Sequence, residues 1–416
     1  MLSLIFSSSA PALASADVVV DWNRHGFELA RRNRTVTMTI AHLAVYDAVV
    51  AVVGGHEPYA IRPSVALPAS VEAAAAQAAH DVYAADDPKQ AGAYATRLAT
   101  SLAPIPEGPE KANGIALGRD VAAKMLALRS DDGRFAKVPY TPGSGPGVWI
   151  PTPTQLRPAA TPSWAAIRPF LLSSPSAVRP EGPPALESPE WAREYNEVKD
   201  YGSRFKSRRT PEQTATGIFY LWGTNDVFPV TIRQVASARN MGLADNARYF
   251  AMVMSAYQDA IIANWDSKYH YNFWRPITAI RAGDTDGNAS TEKNPTWAPL
   301  ADVFGGTPNH PEYTSGHVAW MGGGALAMAE FFGTKEFPLS IETKVPPAVL
   351  PPGAARVRTF ANVDDFIQDV IDSRVWAGIH YRVSDVRGKL IAERVAQHLA
   401  SRFRPSESGP SSQENR

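Results

Sequence analysis

The hydrophobic positions in the first third of the chain recur with helical spacing and not with the two-residue alternation of strands. An apolar run at residues 34–53 ends at a Gly-Gly pair, and the segments 70–86, 88–102 and 109–129 are rich in alanine. Alanine has the highest intrinsic helix propensity, and glycine and proline mark the ends of helices. We therefore predict one helix in each of these four segments.

The pattern changes after residue 139, where prolines recur every few positions as far as residue 184. Proline fixes φ and removes a backbone donor, which disfavours both a helix and a central strand. We predict a long irregular connection at residues 141–187. It would join an N-terminal helical bundle at residues 17–140 to a C-terminal helical bundle at residues 188–404.

Helical patterns resume in the C-terminal part. Ser-Pro at residue 188 and Thr-Pro at residue 210 are typical helix starts, with the hydroxyl residue as N-cap and proline in the first turn. Because no alternating strand series and no internal repeat is evident, the predicted class is all-α, as two bundles in tandem with a disordered tail at residues 405–416. Further helices are predicted at residues 228–241, 245–283, 314–332, 362–379 and 386–403.

The composition limits the classes of partner and of chemistry. The 416 residues are 44% hydrophobic and 20% charged with a formal net charge of zero, which fits a packed core and gives no sign of a nucleic-acid partner. The absence of cysteine excludes disulfides, thiol catalysis and Cys-ligated zinc. No apolar run of about 18 residues occurs, so no transmembrane segment is expected.

The N-terminus resembles a secretory signal peptide. Residues 1–16 contain a short apolar run, lack a basic n-region and end in Ala14-Ser15-Ala16, which has the small-residue form of a cleavage site. This resemblance predicts a periplasmic or secreted protein.

Three segments of the C-terminal part hold cationic residues and histidines suited to binding an anion. In the first, Lys268 and Arg275 are seven residues apart, which places them on one face of the predicted helix together with Trp265. Pro276 would bend or end this helix directly after Arg275. Taken alone, the segment fits a solvated basic helix face better than a binding site.

The second segment is HPEYTSGH at residues 310–317, followed by a helix of small residues. The backbone N–H groups at a helix start favour an anion. Ser315 adds a hydroxyl donor, Gly316 allows an oxyanion to approach the backbone, and His317 can exchange protons near neutral pH. A capped helix without a ligand is the alternative for this segment alone.

The third segment carries Arg374, His380 and Asp385. Arginine matches the oxygens of a phosphate-like group, and a neutral imidazole can attack phosphorus or bind vanadium. A surface arginine and a hydrogen-bonded core histidine are the alternatives. The three segments together supply cations, a nucleophile or ligand, and an acid–base group for in-line chemistry at a tetrahedral oxyanion such as vanadate or phosphate.

The order and spacing of these three motifs resemble the superfamily of vanadium-dependent haloperoxidases and type-2 phosphatidic acid phosphatases. The N-terminal stretch WNRHG and the Pro-rich PGVWIPTPTQLRP also resemble bacterial haloperoxidase-like members. The resemblance implies that His317 is the acid–base residue. It implies that His380 is the vanadium ligand, or the phosphohistidine nucleophile of a phosphatase. The residues that would bind the oxyanion are Lys268, Arg275, Ser315, Gly316 and Arg374.

Two positions depart from the superfamily pattern. Thr314 stands where a proline usually precedes Ser-Gly-His. Ser384 stands four residues after His380, where the superfamily has an aspartate, and Asp385 follows one residue later. Either Asp385 reaches His380 through a local distortion, or another group orients the imidazole.

Three features favour a haloperoxidase. The chain carries an additional N-terminal helical unit, Trp265 matches a tryptophan of haloperoxidases, and His310 matches a histidine near the halide in bromoperoxidases. The resemblance then implies a vanadate cofactor, with hydrogen peroxide and a halide, bromide favoured, as substrates and an organic acceptor. Lys268 would polarise the bound peroxide.

Two alternatives remain. One is an acid phosphatase that acts on phosphate monoesters through a phosphohistidine. The other is a non-catalytic oxyanion-binding protein. The displacement of Asp385 by one residue from the superfamily position is the feature that keeps this alternative open. The apolar helix faces are compatible with a homodimer.

Overall fold

The α-helix dominates the computed structural model, which describes residues 17–31, 33–153, 155–222 and 224–406. The predicted all-α class is confirmed. The signal-like segment 1–16 and the predicted tail beyond residue 406 lie outside the described residues. The helices are α1 (Val18–Leu29), α2 (Arg34–Val53), α3 (Val71–Asp86), α4 (Ala91–Leu102), α5 (Pro109–Leu128), α6 (Pro189–Tyr201), α7 (Pro211–Phe219), α8 (Thr224–Ala238), α9 (Leu243–Tyr271), α10 (Pro276–Arg281), α11 (Gly316–Phe332), α12 (Val363–Ala377), α13 (Arg382–Ala396) and α14 (Leu399–Arg402).

Helix starts follow the capping signals in the sequence. The Ser188 hydroxyl accepts a hydrogen bond from the Trp191 amide at 3.1 Å, at the start of α6. Thr210 and Gln213 form a capping box at the start of α7, in which each side chain accepts from the backbone amide of the other residue. In both helices a proline occupies the first turn, where its missing N–H costs nothing.

Two strands that the sequence pattern did not predict form an antiparallel pair, β1 (Glu336–Glu342) and β2 (Val357–Asn362). Phe337, Leu339 and Ile341 are buried and alternate with exposed neighbours along β1. Pro338 within this short run argued against a strand, but proline is tolerated in edge strands. The pair packs beside α8 and α12.

The long helix α9 lies at the centre of the fold. It packs against α2 on one side and against α11 and α13 on others, and one hydrophobic cluster contains residues from the N-terminal helices and from α9, α11 and α12. The two predicted bundles therefore share a core. Helix α2 is long and apolar enough to cross a membrane, but 83% of its apolar window is buried inside the protein.

The Pro-rich connection packs along α9 and is more than a spacer. The Asp259 carboxylate accepts hydrogen bonds from three successive backbone amides, of residues 170–172. About two turns further along α9, Asp266 forms a two-pronged ion pair with Arg179 at 2.7 and 2.8 Å. These contacts place the connection against the end of α9 that carries Lys268.

Candidate active site

The two cationic residues of the first motif do not lie on one helix face, although their seven-residue spacing had predicted this. Helix α9 ends at Tyr271, because Asn272 adopts a left-handed conformation with φ of 50°. Arg275 then occupies the N-cap position of α10. The prediction that Lys268 and Arg275 share a helix face is therefore wrong, yet both side chains are fully buried and reach the same site across the break.

The Lys268 ammonium is held by the loop that precedes α11. Its Nζ donates to the carbonyl oxygens of Pro311 at 3.1 Å, of Glu312 at 2.9 Å and of Thr314. The Asn264 side chain donates to the Thr314 hydroxyl at 2.7 Å, so the residue that replaces the usual proline is fixed by α9. The last turns of α9 thus set the position of the second motif.

The Arg275 guanidinium links the first motif to the other two. Its Nε donates to the His310 carbonyl at 3.0 Å, and Nη2 contacts His310 Nδ1 at 3.0 Å. Its Nη1 donates to the Ile379 carbonyl at 2.8 Å and lies 3.3 Å from His380 Nε2. Arginine is always a donor, so His380 Nε2 can only accept in this contact, whereas His310 Nδ1 also lies 3.2 Å from the Pro311 carbonyl oxygen.

The second motif forms the start of α11. Ser315 is the N-cap residue, and its buried hydroxyl has no hydrogen-bond partner among the described residues. A Cβ at Gly316 would lie 2.4 Å from the Trp320 ring, so only glycine fits. The His317 ring is partly exposed and lies 5.0 Å from the Trp320 ring.

The third motif lies at the end of α12 and the turn after it. Arg374 is buried in the last turn, where Nε donates to Ser373 at 3.1 Å and Nη2 has no partner within the described chain. Gly378 ends the helix with φ of 76°, and a Cβ there would lie 2.4 Å from the Gly202 carbonyl oxygen. The close approach of the chain at Gly378 allows the turn that carries His380 to follow directly after α12.

The two alternatives for orienting His380 are resolved by a residue to which sequence reasoning gave no role. His380 Nδ1 lies 2.7 Å from Glu312 Oε1, and both side chains are buried. Asp385 is also fully buried, but neither of its oxygens has a hydrogen-bond partner among the described residues. Glu312 lies inside the HPEYTSGH motif. An acidic residue within a segment expected to be buried is the feature of the sequence that could have indicated this role.

Burial of so many ionisable groups moves their pKa values toward the neutral forms. The pKa of each of the three site histidines lies well below its usual range, mainly through burial and then through the nearby arginines. Burial raises the pKa of Glu312 to about 7, although Arg275 and Lys268 oppose the rise. Burial and the charge of Arg275 hold the pKa of Lys268 well below its ordinary value. A bound oxyanion would act in the opposite direction on Lys268.

Aromatic rings form one wall of the site. The Trp265 ring lies 5.2 Å from the His310 ring and 5.7 Å from the Trp320 ring. Its indole Nε1 donates to the Thr161 hydroxyl of the Pro-rich connection at 2.9 Å. The connection therefore fixes the indole that separates His310 from the start of α11.

These residues suit a tetrahedral oxyanion. The Ser315 hydroxyl and Arg374 Nη2 are buried and make no well-formed hydrogen bond in the described part of the chain, although Ser315 lies near the Asp385 carboxylate. The Gly316 amide belongs to the first turn of α11, where N–H groups lack helical acceptors. His380 Nε2 is an acceptor whose contact with Arg275, at 3.3 Å, is long. The donors and this one nitrogen match the needs of vanadate or phosphate.

Comparisons with known proteins agree with this site. Residues 248–406 match the family of the VCPO second helical-bundle domain, a range that contains all three motifs. The vanadium chloroperoxidase of Curvularia inaequalis is 30% identical over 142 residues, covering 29% of this chain and 22% of that protein. The match thus spans about a fifth of the relative's length.

Two bacterial structures share the fold over nearly the whole chain. A vanadium-dependent iodoperoxidase aligns with a TM-score of 0.71 and 21% identity over 94% of this chain and 97% of its own. A vanadium-dependent chloroperoxidase in its holo form aligns with a TM-score of 0.65 and 20% identity over 95% of this chain and 94% of its own. The three motifs thus lie in a region that matches the VCPO second helical-bundle domain, and the chain as a whole shares the fold of these bacterial vanadium-dependent haloperoxidases.

Proposed function

We propose that this protein is a vanadate-dependent haloperoxidase that oxidises halide with hydrogen peroxide. The observation that carries the proposal is a neutral histidine, His380, whose Nε2 lies within a buried cluster of cations and of donors without partners. A trianionic or dianionic oxyanion would neutralise that cluster and accept its open hydrogen bonds. The matched haloperoxidase relatives support the choice of vanadate over a phosphate ester.

The residues of the site would divide the work between binding and proton transfer. Vanadate, when bound, supplies a Lewis acid that activates hydrogen peroxide without a change in its own oxidation state. His380 Nε2 would be its protein ligand, and Arg374, Ser315 and the Gly316 amide would donate to its oxygens. Lys268, whose ammonium donates to backbone carbonyls, and Arg275 would contribute positive charge to the site.

His317 is suited to move the proton. Its ring has no hydrogen-bond partner in the described chain and is partly exposed, and its low pKa leaves it neutral and able to accept. It would take a proton from hydrogen peroxide as peroxide enters, and return it to the departing oxygen. The Trp320 ring, tilted by 38° with its centroid 5.0 Å away, packs against the His317 ring at the start of α11.

His310 supports bromide as the favoured halide. Its Nδ1 lies 3.0 Å from Arg275 Nη2 and 3.2 Å from the Pro311 carbonyl oxygen, which fixes the ring, and a neutral imidazole carries one N–H donor. The neighbouring Trp265 ring adds an apolar face 5.2 Å away. A neutral N–H donor beside an aromatic ring suits a large, weakly hydrated anion.

The direct test combines metal analysis with two activity assays. We expect the full chain, incubated with orthovanadate and freed of excess, to retain vanadium and to brominate an organic acceptor only with bromide and hydrogen peroxide. His380→Ala should lose both properties, whereas His270→Ala, which changes an exposed histidine of α9, should keep them.

Two results would overturn the proposal. Phosphate release from a monoester without vanadate, and without halide oxidation, would indicate an acid phosphatase. If the protein retained vanadate but His317→Ala lowered none of the measured activities, the protein would be an oxyanion-binding protein.

A further inference from the structure

The carboxylate beside His380 comes from a different motif than the superfamily pattern implies. Glu312 Oε1 lies 2.7 Å from His380 Nδ1 and also accepts from the Tyr381 amide at 3.1 Å. The amide belongs to the residue next to the histidine, so the two bonds fix the oxygen relative to both the ring and its backbone. Both side chains are shielded from water, where such a bond is strong.

A second contact supports the same protonation state from the opposite side of the ring. Arg275 Nη1 is 3.3 Å from His380 Nε2, and a guanidinium has protons to donate and no acceptor. This long contact favours a bare Nε2 without enforcing it, and the single proton of the neutral imidazole then lies on Nδ1, where the Glu312 oxygen receives it. The nitrogen left bare is the one that faces the cationic cluster.

Glu312 is itself held firmly enough to impose this orientation. Its backbone amide donates to the Phe273 carbonyl at 2.9 Å, and its own carbonyl accepts from Lys268 Nζ at 2.9 Å. Backbone and side chain together connect the segment after α9, the loop before α11 and the turn before α13. One residue thus links all three motifs.

Asp385 lies in another part of the site. Its carboxylate lies near the Ser315 side chain and near Arg374, both of which oppose the rise that burial causes in its pKa, and it accepts no hydrogen bond from His380. The usual aspartate position is filled by Ser384, whose backbone carbonyl accepts from the Ser315 amide at 3.0 Å. Ser384 therefore binds the start of α11 through its backbone, and its position provides no carboxylate for His380.

We propose that Glu312, and not Asp385, is the positioning residue that holds His380 in the tautomer with a bare Nε2. The consequence for vanadate rests on the proposed function, because a histidine ligates through an unprotonated nitrogen and its other N–H is usually held by a carboxylate. The tautomer itself is a property of the protein without vanadate. The two parts can therefore fail separately.

Nitrogen-15 NMR of the full chain labelled at histidine tests the tautomer, with His380→Gln used to assign the signal. We expect one neutral tautomer protonated at Nδ1, with the strongly downfield proton of a bond to a carboxylate. Glu312→Ala should abolish the single tautomer. Glu312→Gln, which is isosteric, should fold and shift this proton upfield. Asp385→Asn, a matched change of the other carboxylate, should leave the His380 signal in place.

Orthovanadate affinity, measured by equilibrium dialysis, is the second readout. Removal of a carboxylate behind a metal-bound histidine typically weakens binding by about 10- to 100-fold, and we expect that loss in Glu312→Ala. An unmoved Nδ1 proton in Glu312→Gln, or a changed His380 tautomer in Asp385→Asn, would overturn the proposal. A wild-type protein that binds no orthovanadate but shows the expected tautomer would sink the proposed function and leave the role of Glu312 standing.

Discussion

Two pairs of buried carboxylates in this protein differ in the hydrogen bonds that they accept. In the shared core, Asp47 accepts hydrogen bonds from the backbone amides of residues 59–61, and Asp259 accepts from those of residues 170–172. Each therefore closes a loop onto a long helix with three bonds. In the candidate site, Glu312 Oε2 and both oxygens of Asp385 accept no well-formed hydrogen bond in the described chain, although the nearby Ser384 and Ser315 side chains partly offset the rise that burial causes in the pKa of Glu312 and of Asp385, respectively.

All four carboxylates have raised pKa values with the same main cause. Burial raises the pKa of Asp47 and of Asp259 to about 6, and that of Glu312 to about 7, while that of Asp385 is raised further above its usual range. A raised pKa alone therefore does not mark a functional group. The distinguishing feature is the number of acceptor atoms left open, since groups that only stabilise the fold have theirs filled.

The largest expected effect is on the core pair. Asp259→Ala leaves three buried amides without an acceptor, so we expect the free energy of unfolding to fall by at least about 3 kcal/mol, at about 1 kcal/mol or more for each amide. Denaturation by urea, followed by circular dichroism, measures this loss.

Asp266→Ala is the matched control for that loss. It lies on the same helix and contacts the same connection, but its pair with Arg179 is partly exposed and should contribute about 1 kcal/mol or less. Equal losses in the two variants would show that the three amide bonds of Asp259 do not set it apart.

A smaller effect concerns pH. The folded-state pKa of Asp259 is about 6 and its unfolded value 3.8, so between these limits the folded protein binds the additional proton. Stability contributed at this position is therefore greatest below about pH 4, falls as pH rises toward 6, and is constant above. We expect the advantage of wild type over Asp259→Asn to shrink across this window by up to about 3 kcal/mol.

Urea titrations of wild type and Asp259→Asn at steps between pH 4 and pH 7 measure that difference. Comparing the two proteins cancels the contributions of the buried histidines, whose lowered pKa values act in the opposite direction. A difference that grew with pH would contradict the assignment of a raised pKa to this carboxylate.

Sequence patterns predicted the helices well, because apolar spacing and caps are local signals. The run at residues 34–53 coincides with α2, and the cap at Ser188 starts α6. The helix break at Asn272 was missed because a single left-handed residue does not change the hydrophobic periodicity of the sequence. The only helix-breaking residue evident nearby was the proline at residue 276. Strand β1 was missed because it is short and contains proline.

The site was predictable as a set of cations and histidines and not as a set of bonds. The motif spacing indicated Lys268, Arg275 and Arg374, all of which are buried together. The partner of His380 depends on how a loop 68 residues away in sequence folds against the turn before α13. No local pattern could choose between Glu312 and Asp385, because that choice is made by tertiary contacts.

The smallest effect is expected at Asp385. Asp385→Asn keeps an oxygen that can accept from the nearby Ser315 hydroxyl and replaces a buried ionisable group by a neutral one of the same shape. We expect the free energy of unfolding at pH 7 to change by about 1 kcal/mol or less, since no amide is left without an acceptor. Urea denaturation beside Asp259→Asn measures both variants under the same conditions. A loss at Asp385 as large as at Asp259 would mean that it, too, clamps the fold, and that open acceptor atoms do not separate the site from the core.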